Sequence, residues 1–230
     1  MEATFKGGVR MRPDIDEAMR YLGVRSDPQG ELRTRMTSLA EELCSRCMPR
    51  WIWRAFPLAH EGDQPVIGLG PVPLSLPGKS ARAMLGGSER CVILVCTLGL
   101  TFDTWLRQEQ ARDMQRAVML DALGSAFVEA ACDAAEREIA AHLPRKHLTD
   151  RFSPGYGDLP LTLQPALLSV TGAHRIGVTL TDSLLMNPQK RVSAIVGISD
   201  TPQPARIRGC AHCHLREHCA YRKAGTTCHV

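Results

Sequence analysis

From Phe102 to Leu143 the chain contains no proline and a single glycine. Val118, Leu123, Phe127, Ala130, Ala134 and Ile139 form an apolar stripe along it. The pattern predicts one long helix, stopped by Pro144 and broken near Gly124. Such a helix has to bury its stripe against another layer. Just before it, Cys91 to Leu98 reads CVILVCTL, an unbroken apolar run that predicts a strand covered on both faces. Further strands are expected at Trp51–Phe56, Ile176–Leu180 and Val192–Ile198. Val66–Leu76, rich in Gly and Pro, is expected to be an irregular hairpin or edge strand.

Shorter helices are expected at four places. Asp14–Leu22 is opened by Pro13 and Asp14 and closed by Gly23. Glu31–Met48 carries Leu32, Met36, Leu39, Leu43 and Cys47 on one face and stops at Pro49. The others are Lys79–Leu85 and Leu163–Val170. No regular strand–helix alternation runs through this order. The expected class is therefore α+β, with a mixed or antiparallel sheet, helices including one long one, and a small Cys-rich C-terminal tail. Residues 1–200 are expected to form one domain and 201–230 a linker and tail.

With 230 residues, 44% apolar and 23% charged, wholesale disorder and fibrous classes are excluded. No apolar run reaches the ~18 residues of a membrane span, and Met1–Arg12 has no apolar signal core. A cytoplasmic protein without membrane association is expected. The net charge is +4 with the signs interspersed, and aromatics are 5%. That leaves no platform for base stacking, and no nucleic-acid partner is expected.

Four of the nine cysteines fall in the last 21 residues. Cys210, Cys213, Cys219 and Cys228 offer four thiolates on a segment too short to build a core. Soft clusters of this kind bind an iron–sulfur cluster or zinc. Zinc sites usually show two close pairs, and here there is one pair with two wider gaps. His212, His214, His218 and His229 can replace a cysteine, and an unligated tail is the plain alternative. Cys44 and Cys47 make a C-x-x-C pair, but Cys47 continues an apolar stripe, so both are read as small hydrophobes. Cys91, Cys96 and Cys132 lie in apolar runs and are read alike.

Pro77-Gly78-Lys79-Ser80 ends like a phosphate-binding loop, yet Pro73 stands where that pattern needs a glycine. The plainer reading is a turn and a helix start. Gly68-Leu69-Gly70 is an equally weak hint of a dinucleotide loop. Arg151-Phe152-Ser153-Pro154-Gly155-Tyr156 carries more chemistry. An arginine fork suits a carboxylate, Gly155 lets backbone approach a flat ligand, and Tyr156 adds a ring face and a hydroxyl. A rigid surface turn would look the same. The stretch from Arg175 to Pro188 adds a polar turn, Thr181-Asp182-Ser183, between two apolar segments.

Together, R-x-x-P-G-Y and, some twenty residues later, I-G-V-x-L-T-x-S-x-x-M-x-P with a V-S strand resemble a known family. It is the S-adenosylmethionine-binding activation domain of vitamin B12-dependent methionine synthase, here in a free-standing form. The resemblance covers most of residues 12 to 200. It includes Arg20-Tyr21-Leu22-Gly23, Thr97-Leu98-Gly99, and Asp121-Ala122-Leu123-Gly124-Ser125 with Glu129.

The resemblance implies a reactivation subunit. Such a domain presents S-adenosylmethionine to an oxidised cobalamin while a flavodoxin-type or ferredoxin-type donor supplies an electron. Arg151 matches the arginine that holds the ligand carboxylate. Pro154 and Gly155 match the backbone lining the adenosyl part, and Tyr156 the tyrosine facing ligand and corrin; Ser153, in the same loop, is a further candidate for binding the ligand. Glu129 matches an acid on the helix behind the site, and Asp182 and Ser183 fall in the matched turn. None of the eight histidines has Asp two before and Gly three after it, so the D-x-H-x-x-G signature of a cobalamin module is missing. The chain is expected to act in trans on a separate methionine synthase or other corrinoid methyltransferase. The alternative is an iron–sulfur or zinc electron-transfer accessory of a corrinoid system.

Overall fold

A computed structural model describes residues 4–24, 30–69, 73–203, 217–218 and 220–223. Strand β1 (Thr4–Gly7) is followed by helices α1 (Ile15–Tyr21) and α2 (Glu31–Arg46), then β2 (Arg50–Glu61), β3 (Gln64–Ile67) and β4 (Leu74–Ser75). Helix α3 (Lys79–Leu85) leads to β5 (Arg90–Thr97), α4 (Leu100–Arg112) and α5 (Met114–His142). After β6 (His147–Leu148) come α6 (Gln164–Thr171), a small ribbon of β7 (Thr179–Leu180) and β8 (Met186–Asn187), and β9 (Arg191–Ser199). Among the described residues, no helix is long and apolar enough to cross a membrane.

The sheet is antiparallel, in the order β4-β3-β2-β5-β9-β6, with β1 also on β2. At its centre Trp53 pairs with Leu94, and Leu94 with Ala194. The apolar run of β5 is covered on both faces, as expected. Val92, Leu94 and Cys96 pack under α1, α2, α4 and α5. Cys91 and Ile93 face Leu76, Met84 and Leu85 near α3, and Val95 faces Leu168 of α6. The expected α+β class with an antiparallel sheet and a long helix is what the chain adopts.

The long helical stretch breaks at Asp113, not at Gly124. Asp113 has an extended backbone (φ −149°, ψ 96°). Its N–H closes α4 on Glu109 O at 2.7 Å, and its side chain caps α5 by accepting from Arg116 N at 3.1 Å. One residue thus ends one helix and begins the next. Gly124 lies inside α5 because α4 folds back there. A Cβ on it would stand 2.2 Å from Cζ of Phe102.

The expected strand Ile176–Leu180 is also corrected. Ala173–Ile176 form a 3-10 turn between Gly172 (φ 75°) and Gly177 (φ 82°). These two left-handed glycines bend the chain, so only Thr179–Leu180 remain extended, paired with Met186–Asn187. Cys44 and Cys47 are free thiols. Cys47 sits in the core, and burial pushes its thiol up to about 11. This is the inert state of a small hydrophobe.

Candidate functional site

Residues 149–153 run along the outer edge of β9. Thr149 N donates to Gly197 O at 3.0 Å, and Phe152 and Ile195 exchange backbone bonds of 3.1 and 2.8 Å. Beyond Phe152 the chain leaves that edge and turns tightly through Pro154-Gly155-Tyr156. Gly155 (φ 86°) donates from its N–H to Leu159 O at 2.8 Å. This departure leaves the start of β9 facing a cleft of about 330 Å³, within the range of small-molecule sites.

The walls of the cleft come from five places. They are Glu129 of α5, Ser153 and Pro154 of the loop, Leu161 and Gln164 before and in α6, Leu184–Met186 of the ribbon turn, and Arg191–Ser193 of β9. Gln164 is 2% exposed and joins two walls: its Nε2 donates to Ser193 Oγ at 2.7 Å and reaches Met186 Sδ at 3.1 Å. Thr181 organises the ribbon turn, with its Oγ1 2.9 Å from Ser183 Oγ and accepting from Leu185 N at 3.2 Å. Leu184 is held at φ 61° in that turn. A left-handed leucine is costly, and such strain concentrates at ligand sites.

Two anchors hold the loop. At one end Arg151, its side chain 7% exposed, fans onto α5. Its guanidinium donates to Glu129 Oε2 at 2.5 Å, Asp133 Oδ1 at 2.7 Å and Glu136 Oε1 at 2.8 Å. Burial works against that charge, but Cys132, Glu136 and Glu129 outweigh it and hold the proton on more firmly than usual. At the other end Asp158 caps α3. Its Oδ2 accepts from Lys79 N at 2.6 Å and its Oδ1 from Ser80 N at 2.9 Å. The phosphate-loop look of Pro77–Ser80 is therefore a helix start whose amides are occupied by a carboxylate. Gly78 (φ 107°) is needed there, because a Cβ would meet Asp158 Oδ1 at 2.6 Å.

Of the residues singled out from the sequence, Glu129, Ser153 and Pro154 line the cleft. Arg151 lies behind Glu129, as its partner. Gly155 and Tyr156 shape the exposed turn beside it, with Tyr156 40% exposed. Asp182 and Ser183 lie on the exposed outside of the turn whose next three residues form the wall. Asp121 and Ser125 both hold Lys190, whose Nζ is 2.9 Å from Asp121 Oδ1 and 2.8 Å from Ser125 Oγ. Gln164 and Arg191 were not singled out. Arg191's signal is a cation heading an otherwise apolar strand. Cys210, Cys213, Cys219 and Cys228, with His212, His214 and His229, lie outside the described residues. Among the described residues, no group of His, Cys, Asp and Glu is placed to hold a metal.

No family model and no curated protein matches the sequence. Thirteen chains of solved structures do match. One is described as a crystal structure of the MetH reactivation domain bound to AdoHcy, that is, S-adenosylhomocysteine. The match has a TM-score of 0.66 at 14% identity and covers 98% of this chain and 87% of that one. This chain has the fold of that reactivation domain.

Proposed function

We propose that the cleft binds S-adenosylmethionine and that the chain serves the reactivation of a corrinoid methyltransferase. The carrying observation is the coincidence of two independent signals. Glu129 and Pro154, quoted for the resemblance, line one cleft together with Ser153 of the same loop, and a domain of the same fold is described with S-adenosylhomocysteine bound.

The chemistry of the walls suits the ligand. A sulfonium is a cation inside an otherwise amphipathic molecule. Glu129 supplies a carboxylate, Leu161, Leu184, Leu185 and Met186 supply apolar surface, and Gln164 and Ser193 supply polar atoms. In this reading the backbone of Ser153–Gly155 lies along the adenosyl part and Tyr156 stands at the mouth towards the partner. Arg151 is the cation that the resemblance offers to the ligand carboxylate, in competition with its three acidic neighbours on α5. Asp182 and Ser183 border the turn that forms one wall.

The corrinoid, carried by a separate protein and reduced by an electron from a separate donor, supplies the nucleophile that takes the methyl group. S-adenosylhomocysteine is the product that leaves. What this chain contributes is position: a methyl held in line with its acceptor needs no further chemistry from the cleft.

The test is calorimetric titration of S-adenosylmethionine into the wild type and into Ser153→Trp, which fills the cleft from its half-buried wall. Saturable one-to-one binding, abolished in the variant while its melting temperature holds, supports the reading. No binding to the wild type removes it. The partner is tested by adding the chain, S-adenosylmethionine and a reductant to an oxidised corrinoid methyltransferase and following the corrin spectrum.

A further inference from the structure

Asp121, Ser125, Glu129 and Asp133 recur at four-residue spacing, so they form one stripe along α5. Of these four, Glu129 stands in the cleft wall. The stripe also holds two cations, each next to another wall. Towards its C-terminal end, Glu129, Asp133 and then Glu136 hold Arg151, two residues before Ser153. Towards its N-terminal end, Asp121 and Ser125 hold Lys190. The Nζ of Lys190 lies 2.9 Å from Asp121 Oδ1 and donates to Ser125 Oγ at 2.8 Å. That hydroxyl is itself fixed, because it donates to Asp121 O at 3.2 Å. Lys190 immediately precedes Arg191–Ser193, the wall supplied by β9.

The main chain around Lys190 is engaged as well. Its carbonyl accepts from Leu98 N at 3.0 Å and from Thr97 Oγ1 at 3.3 Å. One residue earlier, Gln189 N donates to Asp103 Oδ2 at 2.8 Å. The side chain of Lys190 is 15% exposed and that of Asp121 51%, so the ion pair adds little to overall stability. What it does is directional. It crosses from the middle of a helix to the first residues of a strand, the part of a strand that frays most easily.

We propose that Lys190 is a positioning residue for the cleft: with Arg151 it pins two facing walls to one helix face and so sets their separation. The inference rests on the reading of the cleft as an S-adenosylmethionine site, and it names what holds that site at its working width before the ligand arrives. Lys190 lies outside the cleft lining. It acts through Arg191–Ser193, as Arg151 acts through Ser153 and Pro154. From Asp121 to Glu136 the stripe runs about 22 Å along one rigid helix. Removing one pin frees one wall, and binding then includes the cost of ordering it.

The experiment titrates S-adenosylmethionine calorimetrically into the wild type, Lys190→Met, Lys190→Glu and the exchanged pair of Lys190→Glu with Asp121→Lys. Each is also melted without ligand, and the titrations are run well below melting. Lys190→Met should bind roughly two- to thirty-fold more weakly, as for coupling through a residue that does not touch the ligand. Its melting temperature should fall by no more than about 4 °C, as for a partly exposed ion pair in a domain of this size. Lys190→Glu sets two carboxylates against each other and should bind more weakly still. The exchanged pair restores the attraction and should recover much of the affinity.

A lysine that only stabilises the fold would lower the melting temperature and leave the affinity alone. Unchanged affinity in Lys190→Met therefore overturns the proposal and leaves the cleft reading intact. An exchanged pair no better than Lys190→Glu alone does the same. Asp121→Asn, a mild change at a half-exposed position, repeats the comparison if Lys190→Met does not fold, and unchanged affinity there is equally decisive. Failure of the wild type to bind overturns the cleft reading together with the inference.

Discussion

Glu129 Oε2 lies 2.5 Å from an Nη of Arg151, so the acid that forms one wall of the cleft is also the partner of the arginine behind it. The same guanidinium holds Asp133 and Glu136, one and two turns further along α5. Three like charges on one helix face would otherwise repel one another.

Replacing Arg151 with Ala therefore destabilises the fold. The guanidinium is buried but the carboxylates are partly exposed, which lowers the figure expected for a fully buried network. A loss of about 1–3 kcal/mol is expected. A urea titration checks it, with a lower midpoint at unchanged slope. An unchanged midpoint would show that the three contacts contribute nothing.

Asp158 carries the clearest pH signature. The backbone N–H and hydroxyl of Ser80 and the N–H of Lys79 hold its carboxyl down to about 2. A carboxyl depressed in the folded state stabilises fully above its unfolded value, near 3.9, and this stability is lost as the pH falls through about 2. Asp158→Asn should flatten the stability curve in that window and leave it unchanged in shape above it. Carbon-13 titration of the Asp158 carboxyl checks the midpoint, and an ordinary aspartate value would refute the cap.

Gly124→Ala pits two effects against each other. Alanine favours the helix by ~1 kcal/mol, but its Cβ would stand 2.2 Å from the Phe102 ring. Phe102 is fully buried and has no room to retreat, so overpacking wins and the net loss is about 1–2 kcal/mol. Thermal melts of Gly124→Ala and of the relieving double variant with Phe102→Leu decide it. The second substitution should recover part of the loss.

Glu138 accepts from the indole N–H of both Trp51 and Trp53, at 3.0 and 2.8 Å. Glu138→Ala leaves two buried donors unanswered and should cost about 2–4 kcal/mol. Glu138→Gln retains one acceptor oxygen and should cost less. Chemical denaturation followed by tryptophan fluorescence measures both.

The large elements were legible because each carries its own signal over many residues. The apolar run of β5 and the stripe of α5 need no knowledge of the rest of the chain. The junction at Asp113 was not, because it sits in a charged run, RQEQARDMQR, with neither Gly nor Pro. There a side-chain cap does what a helix breaker does elsewhere. Gly124 misled for the opposite reason: it serves a close approach, which depends on where Phe102 folds, and no local pattern reports that. The site divides the same way. Ser153 and Pro154 stand in a dense motif, whereas Gln164 and Arg191 become neighbours of Glu129 only once the sheet edge and α6 are assembled.

Arg151 fixes the start of the loop to α5 on one side of the sheet, and Asp158 fixes its far part to α3 on the other. The short stretch between them spans the thickness of the protein like a strut, and the cleft opens along its flank. Whatever fills that space braces both helical layers at once. Occupancy should therefore raise the melting point of the whole domain as a unit, and a force that prises the layers apart should empty the cleft before the strands separate.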